Sequence, residues 1–185
     1  VWNLGDFLQI GPHPAEVTDL LLGDARFVNI FGNNEQTLLH RDPSAFSPDE
    51  WAHQQWTIAQ LGTERLQLPV TCRLTVGGTR VLLTHEPPAP ADLDAIDLAC
   101  CGHTHVPSCT REGNAIVLNP GSLGFGRREH ANAFSVIELS ESAINVQQLA
   151  VAYDVMALKQ DYLVRQVPDW EHIWALFLSE TERSA

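Results

Sequence analysis

Cys101-Gly102-His103-Thr104-His105, followed by Asn119-Pro120-Gly121-Ser122, decides how the rest of the chain reads. Ahead of it, Ala95-Ile96-Asp97-Leu98-Ala99-Cys100 is a mostly apolar run of the length expected for a buried strand. Gly102 turns the backbone, and two imidazoles follow with one residue between them. If that piece is extended, side chains two apart point the same way, so both rings reach one point in space. Two histidines alone are equally compatible with a polar loop. The weight comes from upstream: Gly5-Asp6, Gly32-Asn33-Asn34-Glu35 and Thr84-His85 each cap an apolar run that reads as a strand.

Working outward, the spacing predicts a strand ending at Leu4 and a short helix over Ala15 to Leu22, stopped near Gly23. A second strand covers Phe27 to Phe31, with Gly32-Asn33-Asn34-Glu35 as its terminal loop. Residues 40–48 read as irregular. Ser47-Pro48-Asp49-Glu50 then opens a helix: serine caps, proline suits the first turn, and Glu50 sits where a capping box needs it. Trp51, Trp56 and Ile58 pack inward, and Gly62 ends that helix. Val70 to Val76 and Thr79 to Leu83 form a hairpin about Gly77-Gly78, whose second arm delivers His85. Ala115 to Leu118 is a further strand, and Ala133 to Leu139 with Ile144 to Val151 a further hairpin. In the tail, Trp170, Ile173, Trp174, Phe177 and Leu178 make an apolar helical stripe, read as packing on the parent sheet rather than docking a partner. Strands ending in functional turns, with helices between them, define an α/β layout, in which ligands bind outside the carboxyl ends of the strands.

The 185 residues are read as one domain, 1–185, with a helical tail over about 155–185. A hydrophobic fraction of 44% and a charged fraction of 18% suit a globular protein rather than a disordered one. The net charge of −12, from 23 acidic against 11 basic residues, argues against bulk nucleic-acid binding and against an anionic membrane surface. It leaves a small anionic substrate open, because bound divalent cations would dominate the field within a pocket. No apolar run approaches the ~18 residues of a membrane span. Cys72, Cys100, Cys101 and Cys109 include no C-x-x-C and read as small hydrophobes of a reducing, cytoplasmic compartment.

The order GD, GN-x-[DE], H and GHTH resembles the calcineurin-like metallophosphoesterases, in particular their small bacterial branch. Trp2-Asn3-Leu4-Gly5-Asp6 with Gly11-Pro12 and Pro14, then Asn119 to Gly124, then Tyr153-Asp154, are similar to that branch's layout over most of residues 1–154. The resemblance implies a two-sheet β-sandwich flanked by helices. It also implies hydrolysis of a small phosphomonoester or phosphodiester by a metal-activated water. By resemblance Asp6 bridges two cations, which such sites hold ~3.5–4 Å apart. Asn33, His85 and His103 complete one metal site, and His105 serves the other. Oxygen and imidazole donors without thiolate suit Mn, Fe, Zn or Ni.

Two departures from the family pattern stand out. The family's catalytic histidine slot holds Asn34, whose amide hydrogen-bonds a phosphate but cannot protonate a leaving oxygen. The family's opening Asp-x-His strand and helix, roughly 25–30 residues by ordinary element lengths, do not precede Val1-Trp2. The expectation is therefore a longer natural chain, or another segment filling that place in the sheet. These departures set a second reading beside the hydrolase: a metal-binding but catalytically silent scaffold or regulator. His13, His40, His53, His130 and His172 fit no motif slot and read as surface residues. Arg127 and Arg128 read as a solvated basic pair, and Asn119 to Ser122 as a turn supporting the site.

Overall fold

A computed structural model describes residues 1–61, 66–124, 132–140 and 143–177. In chain order the elements are β1 (Trp2–Asn3), α1 (Pro14–Gly23), β2 (Val28–Asn29), α2 (Asn33–His40) and α3 (Pro48–Gln60). They continue with β3 (Thr71–Val76), β4 (Thr79–Thr84), β5 (Leu98–Cys100), β6 (Ser108–Glu112) and β7 (Ala115–Asn119). The last are β8 (Ala133–Leu139), β9 (Ile144–Ala150), α4 (Val155–Val164) and α5 (Trp170–Phe177).

Five strands form one mixed sheet in the order β3-β4-β5-β7-β6. Its interior pairs, β4–β5 and β5–β7, are parallel, and antiparallel β3 and β6 close the edges. The interior strands are apolar on both faces because both are covered. Val81, Leu83, Leu98, Cys100 and Leu118 point one way, onto Leu4 and Ile30 and the inner faces of β8 and β9. Leu82, Ala99, Cys101 and Val117 point the other way, into a second cluster with Ile96 and Ala115. Opposite the large sheet stand two separate pairs, parallel β1–β2 and antiparallel β8–β9. The result is the expected two-layer sandwich with helices around it. Truncating Leu83 to Ala at the centre of this core would cost roughly 2–5 kcal/mol.

The Ser47–Glu50 capping box and the Gly77-Gly78 hairpin form as read. Several local expectations do not. The Gly32-Asn33-Asn34-Glu35 stretch is not a terminal loop: Gly32 is the N-cap of α2, and Glu35 sits in its first turn. The strand before it is confined to Val28–Asn29. The run from Ala95 turns at Ala95 (φ 56°) and pairs only over Leu98–Cys100. The tail is two helices, with Gln166 and Asp169 in left-handed conformation in the turn between them.

The tail also does not pack on the sheet. Tyr162, Val167, Ile173 and Trp174 bury themselves against Ile10, Trp56 and the tail's own Val155, Leu158 and Trp170, a cluster without strand residues. Leu178, like Gly62, Arg127, Arg128 and His130, lies outside the described residues. Among the described residues, no helix is long and apolar enough to cross a membrane.

Candidate metal centre and its cleft

Two glycine turns bring the first ligands together. Gly5, at φ 90°, lies so near the second turn that a Cβ there would stand 2.2 Å from the Gly32 nitrogen. A Cβ on Gly32 would in turn stand 2.1 Å from Asp6 Oδ1. No side chain fits at either position. Beneath them Glu35, fully buried, accepts the N–H groups of Asp6 (2.7 Å), Phe7 (2.8 Å), Leu8 (3.1 Å) and Gly32 (2.8 Å). Burial pushes its carboxyl pKa up, and the nearby Asp6 charge adds to this, against the lowering effect of the N–H donors. Glu35 stands in the GN-x-[DE] motif of the sequence, which by itself assigns it no task. Its signal was available: an acid three positions after a helix cap reaches back to the cap's N–H.

Asp6 carries its carboxylate on a left-handed backbone (φ 58°), and Oδ1 accepts the Asn34 N–H at 2.9 Å. The other oxygen, Oδ2, lies 3.2 Å from His85 Nε2. His85 is buried at the end of β4, and its Nδ1–H donates to the Leu4 carbonyl at 2.6 Å, which aims Nε2 inward. Asn33 Oδ1 stands 3.0 Å from His85 Nε2 and 3.0 Å from His103 Nδ1. The amide is held that way round because Asn33 Nδ2 donates to Asn34 Oδ1 at 3.1 Å. Ligand atoms of Asp6, His85 and His103 all lie within 4.8 Å of one another.

The two loop histidines arrive by a route other than strand alternation. The strand ends at Cys100, and His103 (φ 62°) and His105 (φ 60°) are both left-handed. Gly102 itself has no left-handed φ. Non-glycine residues with positive φ are uncommon and gather at sites where surrounding contacts enforce them. Here Asn119 does so, with Nδ2 donating to the Gly102 carbonyl (2.6 Å) and Thr104 Oγ1 (3.0 Å), and Oδ1 accepting Gly121 N–H (2.9 Å). His105 lines the same cleft as His103. Thus the structure gathers Asp6, Asn33, His85 and His103, sets Asn34 against both Asp6 and Asn33, and places His105 on the adjoining wall.

This donor set suits a cation. With Nδ1–H engaged by Leu4, His85 Nε2 faces a carboxylate oxygen and an amide oxygen, so a positive charge must lie among three converging lone pairs. Burial alone would lower the His85 pKa, but the Asp6 hydrogen bond, the Leu4 carbonyl and the Asp6 and Glu35 charges outweigh it and raise the value. A proton or a metal ion satisfies the same electrostatic demand.

The ligand cluster forms one end of a cleft of about 320 Å³. The other wall is built by α3 and by the start of α5, and includes His53, Gln54, Asp169, His172 and Ile173. His53 is therefore not a surface residue. It is 4% exposed, donates from Nδ1 to the Pro168 carbonyl at 2.9 Å and accepts the Ile10 N–H at Nε2 (3.4 Å). Burial lowers its pKa, more than the Pro168 carbonyl and Asp169 raise it. Of the other histidines, His172 is exposed but lines the cleft, and His13 pairs with Asp161 at 3.1 Å.

The fold is that of a metallophosphoesterase, and residues 1–142 match the calcineurin-like phosphoesterase superfamily domain. The chain belongs to that superfamily. Among solved structures it is similar to hypothetical protein PH1004 from Pyrococcus horikoshii OT3, with 20% identity, a TM-score of 0.74, and 95% of this chain and 83% of that one covered. It is also similar to a phosphoesterase, YfcE, from E. coli (23% identity, TM-score 0.48, 82% and 83% covered). A novel archaeal phosphodiesterase is similar at 16% identity and TM-score 0.49, with 80% and 82% covered. No functionally curated protein matches the sequence.

Proposed function

We propose that this chain is a metal-dependent phosphoesterase that hydrolyses a small phosphomonoester or phosphodiester. The observation that carries the reading is the convergence of Asp6, Asn33, His85 and His103 at one end of an open cleft, with Asp6, Asn33 and His85 aimed by supporting hydrogen bonds from Asn34 and Leu4. Asp6, Asn33, His85 and His103 would hold one divalent cation from the Mn, Fe, Zn or Ni group, and Asp6 and His105 would help to hold a second. Such cations, when bound, supply Lewis acidity toward phosphoryl oxygens and lower the pKa of water.

The chain's own residues have separate tasks. Leu4 orients His85 and Asn34 orients Asn33, so the inward lone pairs are set before any ligand arrives. Asn34, beside the cluster, offers an amide to a phosphate oxygen without being able to donate a proton to the leaving group. The free thiols Cys72, Cys100, Cys101 and Cys109 favour work in a reducing cytoplasm. Burial holds Cys100 and Cys101 up to about 12 and about 11, far from thiolate chemistry.

Asn34 is also the observation favouring the second reading, a metal-binding scaffold or regulator without catalysis. Hydrolysis of bis(p-nitrophenyl) phosphate, with metal content measured after dialysis, separates the two. The hydrolase reading expects tightly held metal and turnover that Asp6→Asn abolishes. Metal retained without turnover of any ester would select the scaffold, and absence of metal binding would remove both.

A further inference from the structure

The far wall of the cleft is made partly by residues beyond those matching the family domain. The α4–α5 pair spans residues 155–177, whereas the match ends at 142. That pair is nonetheless fastened to the loop after Asp6. Tyr162 Oη donates to the Ile10 carbonyl at 2.6 Å, and Pro168 accepts from His53 at 2.9 Å. Tyr162 and Val167 are fully buried, in the cluster that packs against Ile10 and Trp56.

The wall's chemistry is selective. Gln9 Nε2 donates to Gln54 Oε1 at 2.9 Å, and Gln54 is only 5% exposed, so an amide pair is held at fixed geometry within the lining. Phe46 contributes an aromatic ring and His172 an imidazole. The charged residues of this wall are Glu50 and Asp169, and no lysine or arginine lines the cleft among the described residues. A second phosphate or carboxylate on the substrate would meet like charges without a counter-charge, which costs binding. A neutral ring with hydrogen-bonding edges would instead meet amides and an aromatic surface. The cleft volume of about 320 Å³ accommodates one such group.

We propose that this wall is a subsite for the neutral, planar, hydrogen-bonding group of a phosphate ester, of nucleobase type, and that α5 and α3 together confer the selectivity. The proposal rests on the phosphoesterase reading and names the group that reading leaves open.

Thymidine 5′-(p-nitrophenyl phosphate) and methyl p-nitrophenyl phosphate share one charge and one leaving group, and differ only in the second ester group. The expected kcat/KM ratio favours the thymidine ester by roughly tenfold or more, the scale on which placed polar contacts discriminate. His172→Ala, an exposed position that the fold tolerates, and Gln54→Leu should each move that ratio toward one. Calorimetric binding of both esters to metal-free protein should show the same ranking without any turnover. Equal kcat/KM and equal affinity for the two esters would overturn the subsite, as would a ratio surviving in both variants. An affinity ratio without turnover would keep the subsite and remove the hydrolase reading.

Discussion

The buried carboxylate of Glu35 accepts the backbone N–H of Asp6 at 2.7 Å and that of Gly32 at 2.8 Å, so one side chain clasps the two turns that present Asp6 and Asn33. Glu35→Gln keeps the shape but turns an amide N–H₂ toward backbone donors. Hydrogen bonds to a charged acceptor contribute about 1.5–3 kcal/mol each, and at least one is lost. The expected loss of stability is about 3 kcal/mol by urea unfolding, together with weaker metal retention. Stability within 1 kcal/mol of wild type, by the same principle, would mean the clasp is dispensable.

Close approach of the two turns makes a second expectation. Gly5→Ala places a Cβ 2.2 Å from the Gly32 nitrogen at a φ of 90°, so the turns must separate. Gly113→Ala provides the comparison, since its φ is 60° but nothing lies within 4 Å. Left-handed backbone alone costs roughly 1–2 kcal/mol, which is the loss expected at Gly113. Gly5→Ala should cost more and should also reduce metal content. Equal thermal midpoints for the two variants would contradict the packing argument.

His85→Ala should strip metal from the dialysed protein, because it removes a buried imidazole of the ligand cluster whose ring is aimed by the Leu4 carbonyl. The groups that hydrogen-bond a metal-binding histidine are typically worth 10–100-fold in affinity, and loss of the histidine itself should exceed that range. Elemental analysis of wild type and variant reads this directly. Undiminished metal in His85→Ala would place the centre elsewhere.

Asn34→His asks what the amide in that position costs. If a general acid is restored, alkyl phosphate esters should gain by up to roughly 10²-fold, while p-nitrophenyl esters, whose leaving group needs no proton, should change little. Asn34 also orients Asn33, so both substrate classes would share any penalty from the lost tether. Selectivity between leaving groups is therefore the diagnostic quantity. Equal effects on the two classes would rule out proton donation at this position.

His53 sets a pH dependence with a defined sign. Burial lowers its folded-state pKa beneath the unfolded value near 6.5, so the unfolded chain binds the proton more readily. Its contribution is intact above the unfolded pKa and is lost as pH falls below it. His85, with a raised value, acts oppositely, being favourable below its unfolded pKa and lost as pH rises. Subtracting His53→Asn from wild type isolates the first effect. The stability difference should shrink on acidification from pH 7.5 to 5.5, a window bracketing that unfolded pKa of about 6.5. A difference independent of pH would show that His53 is not held neutral.

What was legible in the sequence was the chemistry that recurs locally. Gly-Asp, Gly-Asn and Gly-His-Thr-His follow apolar runs, and the strand ends of an α/β sandwich place such turns together by topology. Through the resemblance of that motif order to the metallophosphoesterases, Asp6, Asn33, His85 and His103 could be named, and the Ser47–Glu50 cap and the Gly77-Gly78 hairpin were legible from local signals. Tertiary structure decided the rest. His103 and His105 enter the cleft on left-handed backbone braced by Asn119, a conformation that no side-chain period announces. Glu35 became a clasp only because the turn 29 residues before it folds against its own. His53 and Pro168 meet across 115 residues, and Tyr162 reaches Ile10 across 152, so the second wall of the cleft comes from contacts with no local signature. A helical stripe reveals which face will be buried, not what will cover it. Here α3 and the loop after Asp6 cover it, and a tail read as packing on the sheet became part of the site.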